Sequence, residues 1–210
     1  MKFLYLYVFL VFATVKGSAQ TSYSEQLEAS EKVIRESQDF SKQLHQDLVY
    51  SIFPYWYGTQ WDFNGYTNEP NDGEIACGYF VSTTLKHIEF NMNRYDIAKM
   101  YSSDIVRVLC YEDYWVESNF ETFLKRMAEQ LDGIYVVGLS NHVGFLEQIN
   151  GRTYIIHSNY IGDNGVEKEL AYKSDALSYS STFWVGNLSN NEKVRNAFLT
   201  NIEFKKIESE

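Results

Sequence analysis

Proline, cysteine and positive charge are all scarce in this chain of 210 residues. Two prolines leave no Pro-rich linker, which favours one compact domain. Two cysteines, Cys77 and Cys110, exclude a disulfide framework and allow one bridge at most. Lys and Arg number 18 against 28 Asp and Glu, for a formal net charge of −10. Nucleic-acid phosphates demand basic side chains, so a nucleic-acid partner is not expected. Nor is there a basic face for anionic lipid. A phosphate loop, a Ser-centred elbow, a dinucleotide fingerprint and a His-Glu-x-x-His zinc helix are all missing. Beyond residue 19 no apolar run is long enough to cross a bilayer.

Aromatic residues are plentiful instead, at 17%, and the hydrophobic set reaches 45%, enough for a sizeable core. The start of the chain has a different texture. Lys2 precedes an apolar run from Phe3 to Val15, and Gly17, Ser18 and Ala19 follow as small residues. This is the signal-peptide pattern, so 1–19 is expected to be removed and the mature protein to be periplasmic or secreted. No Cys follows the run, which argues against a lipid anchor. Residues 20–210 then form a single domain.

Within it, apolar spacing predicts a long helix over Ser24 to Tyr50, ended by Pro54. An aromatic connection, Tyr55 to Gly73, holds Trp56, Tyr57, Trp61, Asp62 and Asn64, and a loop of that length is often functional. Pro70-Asn71-Asp72-Gly73 reads as a turn, after which a helix runs to about Phe90 with Cys77 in its first turn. Asn93 to Leu109 is helical in pieces. Ser118 and Glu121 form a capping box for a further helix, which Asp132 and Gly133 end. Strands follow: Ile134 to Leu139, then His142 to Ile149 and Arg152 to Asn159 as a hairpin on the Asn150-Gly151 turn, then Ser181 to Leu188. Ser189 and Glu192 start a last helix ending near Ile202. The expectation is α+β: helices over 24–132, an antiparallel sheet over 133–188 and a terminal helix over 189–202.

A helix N-terminus favours a thiolate through free N–H groups and the helix dipole, and Cys77 stands where that help is greatest. The hairpin supplies partners. With a two-residue turn, Ile149 faces Arg152, His142 falls opposite Asn159 and Gly144 opposite His157. Alternate residues share a face, so His142, His157 and Asn159 project together, with Gly144 leaving room between the imidazoles. A nucleophile needs a base, and the base needs an orienting partner. Cys77, His142 and His157 fill those roles, with Asn159 as the other candidate for the third. A buried structural Cys and surface histidines are the competing reading. His45 and His87 lie among charged residues and are expected to be solvated; Cys110 is expected in the core.

The stretches Tyr57-Gly58-Thr59, Ala76-Cys77-Gly78-Tyr79-Phe80-Val81, His142-Val143-Gly144-Phe145 and Ile155-Ile156-His157-Ser158 resemble the NlpC/P60 family of papain-like cysteine peptidases. The resemblance implies a papain-like fold and a catalytic triad of Cys77, His142 and His157. It also implies an aromatic residue near the site at Tyr57, no cofactor or metal, and a cell-wall (peptidoglycan) peptide as substrate for a monomeric peptidase or amidase. Where the family usually has Asp-Cys-Ser-Gly, this chain has Ala76-Cys77-Gly78-Tyr79. Trp61, Asp62 and Gly78 join Tyr57 as candidate substrate contacts. The alternatives are an inactive binding module on the same fold, and a zinc hydrolase holding its metal on Cys77, His142 and His157.

Overall fold

A computed structural model describes residues 22–162 and 164–206. The segment 1–19, expected to be a signal peptide, lies outside them. No helix among the described residues is long and apolar enough to cross a membrane.

The chain opens with α1 (Tyr23–Glu36), for which Ser22 and Glu25 form a reciprocal capping box. The single long helix expected over 24–50 is interrupted: residues 37–39 break it, and Asp39 caps a new helix, α2 (Phe40–Gln46). The apolar spacing continues across the break because both pieces bury the same side, Ile34 before it and Leu44 and Leu48 after it. A π-helical stretch, Asp47–Ile52, leads into the short α3 (Phe53–Trp56). Pro54 falls in the first turn of α3, where a missing N–H costs nothing, instead of ending a helix.

The aromatic connection folds back on itself. Ile75 N–H donates to the Gln60 carbonyl and Ala76 N–H to the Gly65 carbonyl. Buried Arg94 donates to the Tyr66 carbonyl at 2.9 Å and to Thr83 Oγ1 at 2.7 Å, tying the loop to the helix behind it. That helix is α4 (Cys77–His87), followed by α5 (Arg94–Ala98) and α6 (Ser102–Leu109). A strand, β1 (Tyr114–Glu117), then appears inside the stretch expected to be wholly helical. Its four residues are too few for a period-2 pattern to declare itself. Next comes α7 (Phe120–Ala128), capped by Asn119, whose side chain accepts from Thr122 N–H. The expected Ser118–Glu121 box is therefore one residue out of place, because Asn119 is an equally good cap.

The remaining elements are β2 (Gly133–Gly138), β3 (Val143–Ile149), β4 (Arg152–Asn159), β5 (Gly165–Leu170), a 3₁₀ turn at Ala171–Lys173, α8 (Asp175–Ser178), β6 (Phe183–Asn187) and α9 (Glu192–Thr200). Asn191, not Ser189, caps α9. Among the described residues the sheet has six strands in the order β1-β6-β2-β3-β4-β5, all pairs antiparallel. The fold is thus α+β with an antiparallel sheet. The β3–β4 register is the one the Asn150-Gly151 turn dictates: Ile149 faces Arg152 and Phe145 faces Ile156.

Strand alternation sends residues to two apolar layers. Val136, Phe145 and Ile156 join one core with Leu48, Phe53, Phe80 and Leu85 from the helices. Tyr135, Leu146 and Ile155 join a second with Phe123 and Met127 of α7 and Leu177 of α8. Helices therefore cover both faces, and β3 and β4 lie well inside the sheet, buried almost throughout.

Candidate active site

Cys77 is the first residue of α4, and Ala76 before it offers no capping side chain. The first N–H groups of the helix thus remain for other acceptors. Gly78 beside it is fixed by space: a Cβ there would run into the Ala98 carbonyl of α5. Cys77 is half-buried and Cys110 fully buried, and both are free thiols. The single bridge that two cysteines allow is not formed. Cys110 packs against Gly186 of β6, as a core residue should.

Cys77, Gly78 and His142 line one cleft of about 620 Å³, together with Phe63, Tyr101, Asn141 and Trp184. No described residue lining it carries Asp, Glu, Lys or Arg. Burial pushes the Cys77 thiol up, and the backbone N–H groups of Val143, Gly78 and Cys77 itself offset part of that rise. Val143 directly follows His142, so the sulfur sits at the head of β3.

His142 is 3% exposed and His157 fully buried. Their rings meet directly, with His142 Nε2 and His157 Nδ1 2.7 Å apart. Nδ1 is then the free nitrogen of His142. Gly144 permits this approach, though not by leaving an open space. A Cβ there would stand 2.9 Å from His157 Cβ and 3.1 Å from the Ile156 carbonyl, so the two strands are in contact at that point. Burial first, and the neighbouring His157 second, push the His142 pKa well below its ordinary value. His142 is a neutral imidazole at physiological pH.

Behind His157 lies Glu169, which was not among the expected site residues. His157 Nε2 approaches Glu169 Oε1 of β5 at 3.2 Å, a close contact not aligned as a hydrogen bond. Burial alone would raise the Glu169 carboxyl, but contacts from His157 and Ser174 outweigh it and hold the group lowered. A carboxylate facing Nε2 favours the proton there. His157 Nδ1 then accepts from His142 Nε2–H, and His142 Nδ1 is left with its lone pair. This order of protons is what a base requires. A period-2 reading of Val166 to Leu170 as a strand beside β4 was the signal that could have found Glu167 and Glu169.

The other expected residues fall into place variously. Asn159 is not the orienting group: its Nδ2 donates to Glu167 Oε1 at 2.6 Å, and its Oδ1 accepts from Ile161 N–H. Tyr57 is not among the residues lining the cleft. It packs against the first core, and burial with the Glu147 charge pushes its hydroxyl up to about 12. Trp56 is fully buried core. Trp61 is drawn towards the site through Tyr160, with ring centroids 6.3 Å apart, and Tyr160 lies 5.1 Å from the His142 ring. Asp62 and Asn64 shape the loop, Asp62 Oδ1 accepting from Asn64 N–H.

The two remaining histidines are not solvated. His45 is buried, with Nε2 2.8 Å from Glu147 Oε1, and Lys168 reaches the same carboxylate. His87 Nδ1 meets the Tyr23 hydroxyl at 2.9 Å, and Trp56 Nε1–H donates to that hydroxyl. Charged sequence neighbours hid these tertiary partners.

The trio Cys77, His142 and His157 does not bring its ligand atoms together as a metal site. Among the described residues the grouping that does so is His157, Glu167 and Glu169. No protein-family profile, curated protein or solved structure matches the chain at a significant level.

Proposed function

We propose that this protein is an exported cysteine hydrolase of amide bonds, a papain-like peptidase or amidase, whose substrate is cell-wall peptide. The observation that carries the reading is the 2.7 Å contact between His142 and His157 beside Cys77 in one open cleft. An imidazole pair this deeply buried is costly as mere structure. It gains its use where one ring must be held as a base.

His142 Nδ1 takes the Cys77 proton as the sulfur attacks the substrate carbonyl. The resulting oxyanion is met by the N–H groups at the start of α4, those of Cys77 and Gly78. Collapse breaks the C–N bond, and His142 returns the proton to the leaving amine. Water, deprotonated by the same nitrogen, then hydrolyses the thioester and regenerates the thiol. His157 holds the ring of His142, and Glu169 holds the tautomer of His157. Because the cleft lining is uncharged, the portion of substrate seated against Cys77 is neutral.

The test is release of amines from isolated peptidoglycan stem peptides. Wild-type protein is expected to release them and Cys77→Ala to be inert; an undiminished Cys77→Ala protein overturns the reading. The raised thiol favours a second reading, a binding module on the same scaffold. In that case Cys77 resists iodoacetamide in the folded protein.

A further inference from the structure

The far end of the histidine pair brings together two buried groups that face each other without an aligned hydrogen bond. His157 Nε2 and Glu169 Oε1 are buried, 3.2 Å apart, and neither has an aligned hydrogen-bond partner. Glu167 lies directly across from His157 in the β4–β5 ladder, two residues before Glu169 and on the same face. One ligand atom from each of the three residues lies within 4.8 Å of the others. Bonds of about 2.0 Å in a tetrahedral zinc site place neighbouring ligand atoms about 3.3 Å apart. The 3.2 Å His157–Glu169 spacing fits two ligands on a common cation as well as it fits a direct contact.

The surroundings are those of a held site. Asn159 and Asn164 both donate to Glu167 Oε1, at 2.6 and 3.2 Å, and Ser174 contacts the Glu169 carboxylate. Such outer contacts orient ligating carboxylates. Two carboxylates also balance the charge of one divalent cation. Glu167 and Glu169 are only half-buried, which leaves a path from solvent.

We propose that His157, Glu167 and Glu169 bind a divalent transition cation of the Zn²⁺ type, and that its binding switches off His142. This coupling rests on the hydrolase reading above. A neutral imidazole has one N–H. A metal on His157 Nε2 takes that lone pair, so the ring hydrogen moves to Nδ1. Nδ1 now donates to His142 Nε2, and the hydrogen of His142 is forced onto its Nδ1, the nitrogen meant for the thiol. One proton leaves His157 Nε2 for water, one crosses between the rings and one arrives at His142 Nδ1, so the proton count does not change. The base is lost with no movement of Cys77.

The experiment pairs calorimetric titration of the metal-free protein with zinc chloride and the rate of Cys77 alkylation by iodoacetamide. One equivalent should bind, and alkylation should slow at least about 10-fold in step with occupancy. Glu167→Gln removes a ligand and leaves the histidine pair intact. It should weaken binding at least about 10-fold, with its metal-free alkylation rate unchanged and its circular dichroism native. Absence of binding, or binding unaltered in Glu167→Gln, overturns the site. Binding that leaves the alkylation rate unchanged overturns the switch. If Cys77 is inert in the metal-free protein, the nucleophile reading fails with the switch, while calorimetry still decides the metal site.

Discussion

At Cys77 and Gly144 the local chemistry is set by what their neighbours forbid. Iodoacetamide should add one group to the native protein, at Cys77, and a second only after unfolding exposes Cys110; peptide mass spectrometry reads both. Thiolate is the reacting species, and burial raises the Cys77 thiol. The alkylation rate should therefore climb with pH beyond the range of an ordinary free thiol. Gly144→Ala should cost about 1–3 kcal/mol by overpacking in a denaturant titration. The same change should part the two imidazoles and slow alkylation. The place of Cys77 at a helix start and the meeting of His142 with His157 were legible, because a helix start and a two-residue turn are local signals; the open space expected at Gly144 was not, since His157 Cβ and the Ile156 carbonyl close it. Glu169 was not: it reaches His157 across a strand pair whose register no local turn sets. His45 and His87 were misread for the same reason, since their partners lie 102 and 64 residues away.

Among the elements, turn chemistry was readable and strand brevity was not. Asn150-Gly151 yields the correct β3–β4 register, whereas the four residues of β1 gave too little pattern to register as a strand. Caps misled by single positions, and this can be measured. Asn119→Ala should cost about 1 kcal/mol of stability, while Ser118→Ala should stay within about 0.5 kcal/mol, the usual range for an exposed site. The group joining α2, β3 and β5 is of another kind. Burial would raise the Glu147 carboxyl, but His45 and Lys168 hold it lowered. Glu147→Ala leaves buried His45 without its partner and opens a gap beneath α2, and should cost about 1–3 kcal/mol in thermal or denaturant unfolding.

For the molecule as a whole, the α+β class with an antiparallel sheet was foreseen from helices preceding strands, but not the helices on the sheet's second face. α1 is joined to the core through Tyr23, which packs against it. Tyr23 contacts His87 at the end of α4, and burial, then the Arg94 charge, depress the His87 pKa to about 4 from 6.5. The folded value lies below the unfolded one, so the stability from a neutral His87 is complete above pH 6.5. It drains away as pH falls from 6.5 towards 4. The loss is at most about 3 kcal/mol. Melting temperatures of His87→Gln across that window should fall less steeply than those of the native chain; an identical slope would refute the assignment.

The position of β5 at the margin of the sheet has a consequence for solubility. A marginal strand invites another chain to pair with it, and proteins discourage this with charge and cover. The outward N–H of Val166 donates to the Thr59 carbonyl, and its carbonyl accepts from Gly58 N–H. Beyond Val166 the strand relies on Glu167, Lys168 and Glu169. Two of these three charges are the carboxylates facing His157, so whatever neutralises them also disarms the margin. A Glu167→Gln, Glu169→Gln protein should scatter more light at high concentration than the parent chain, even with its fold intact.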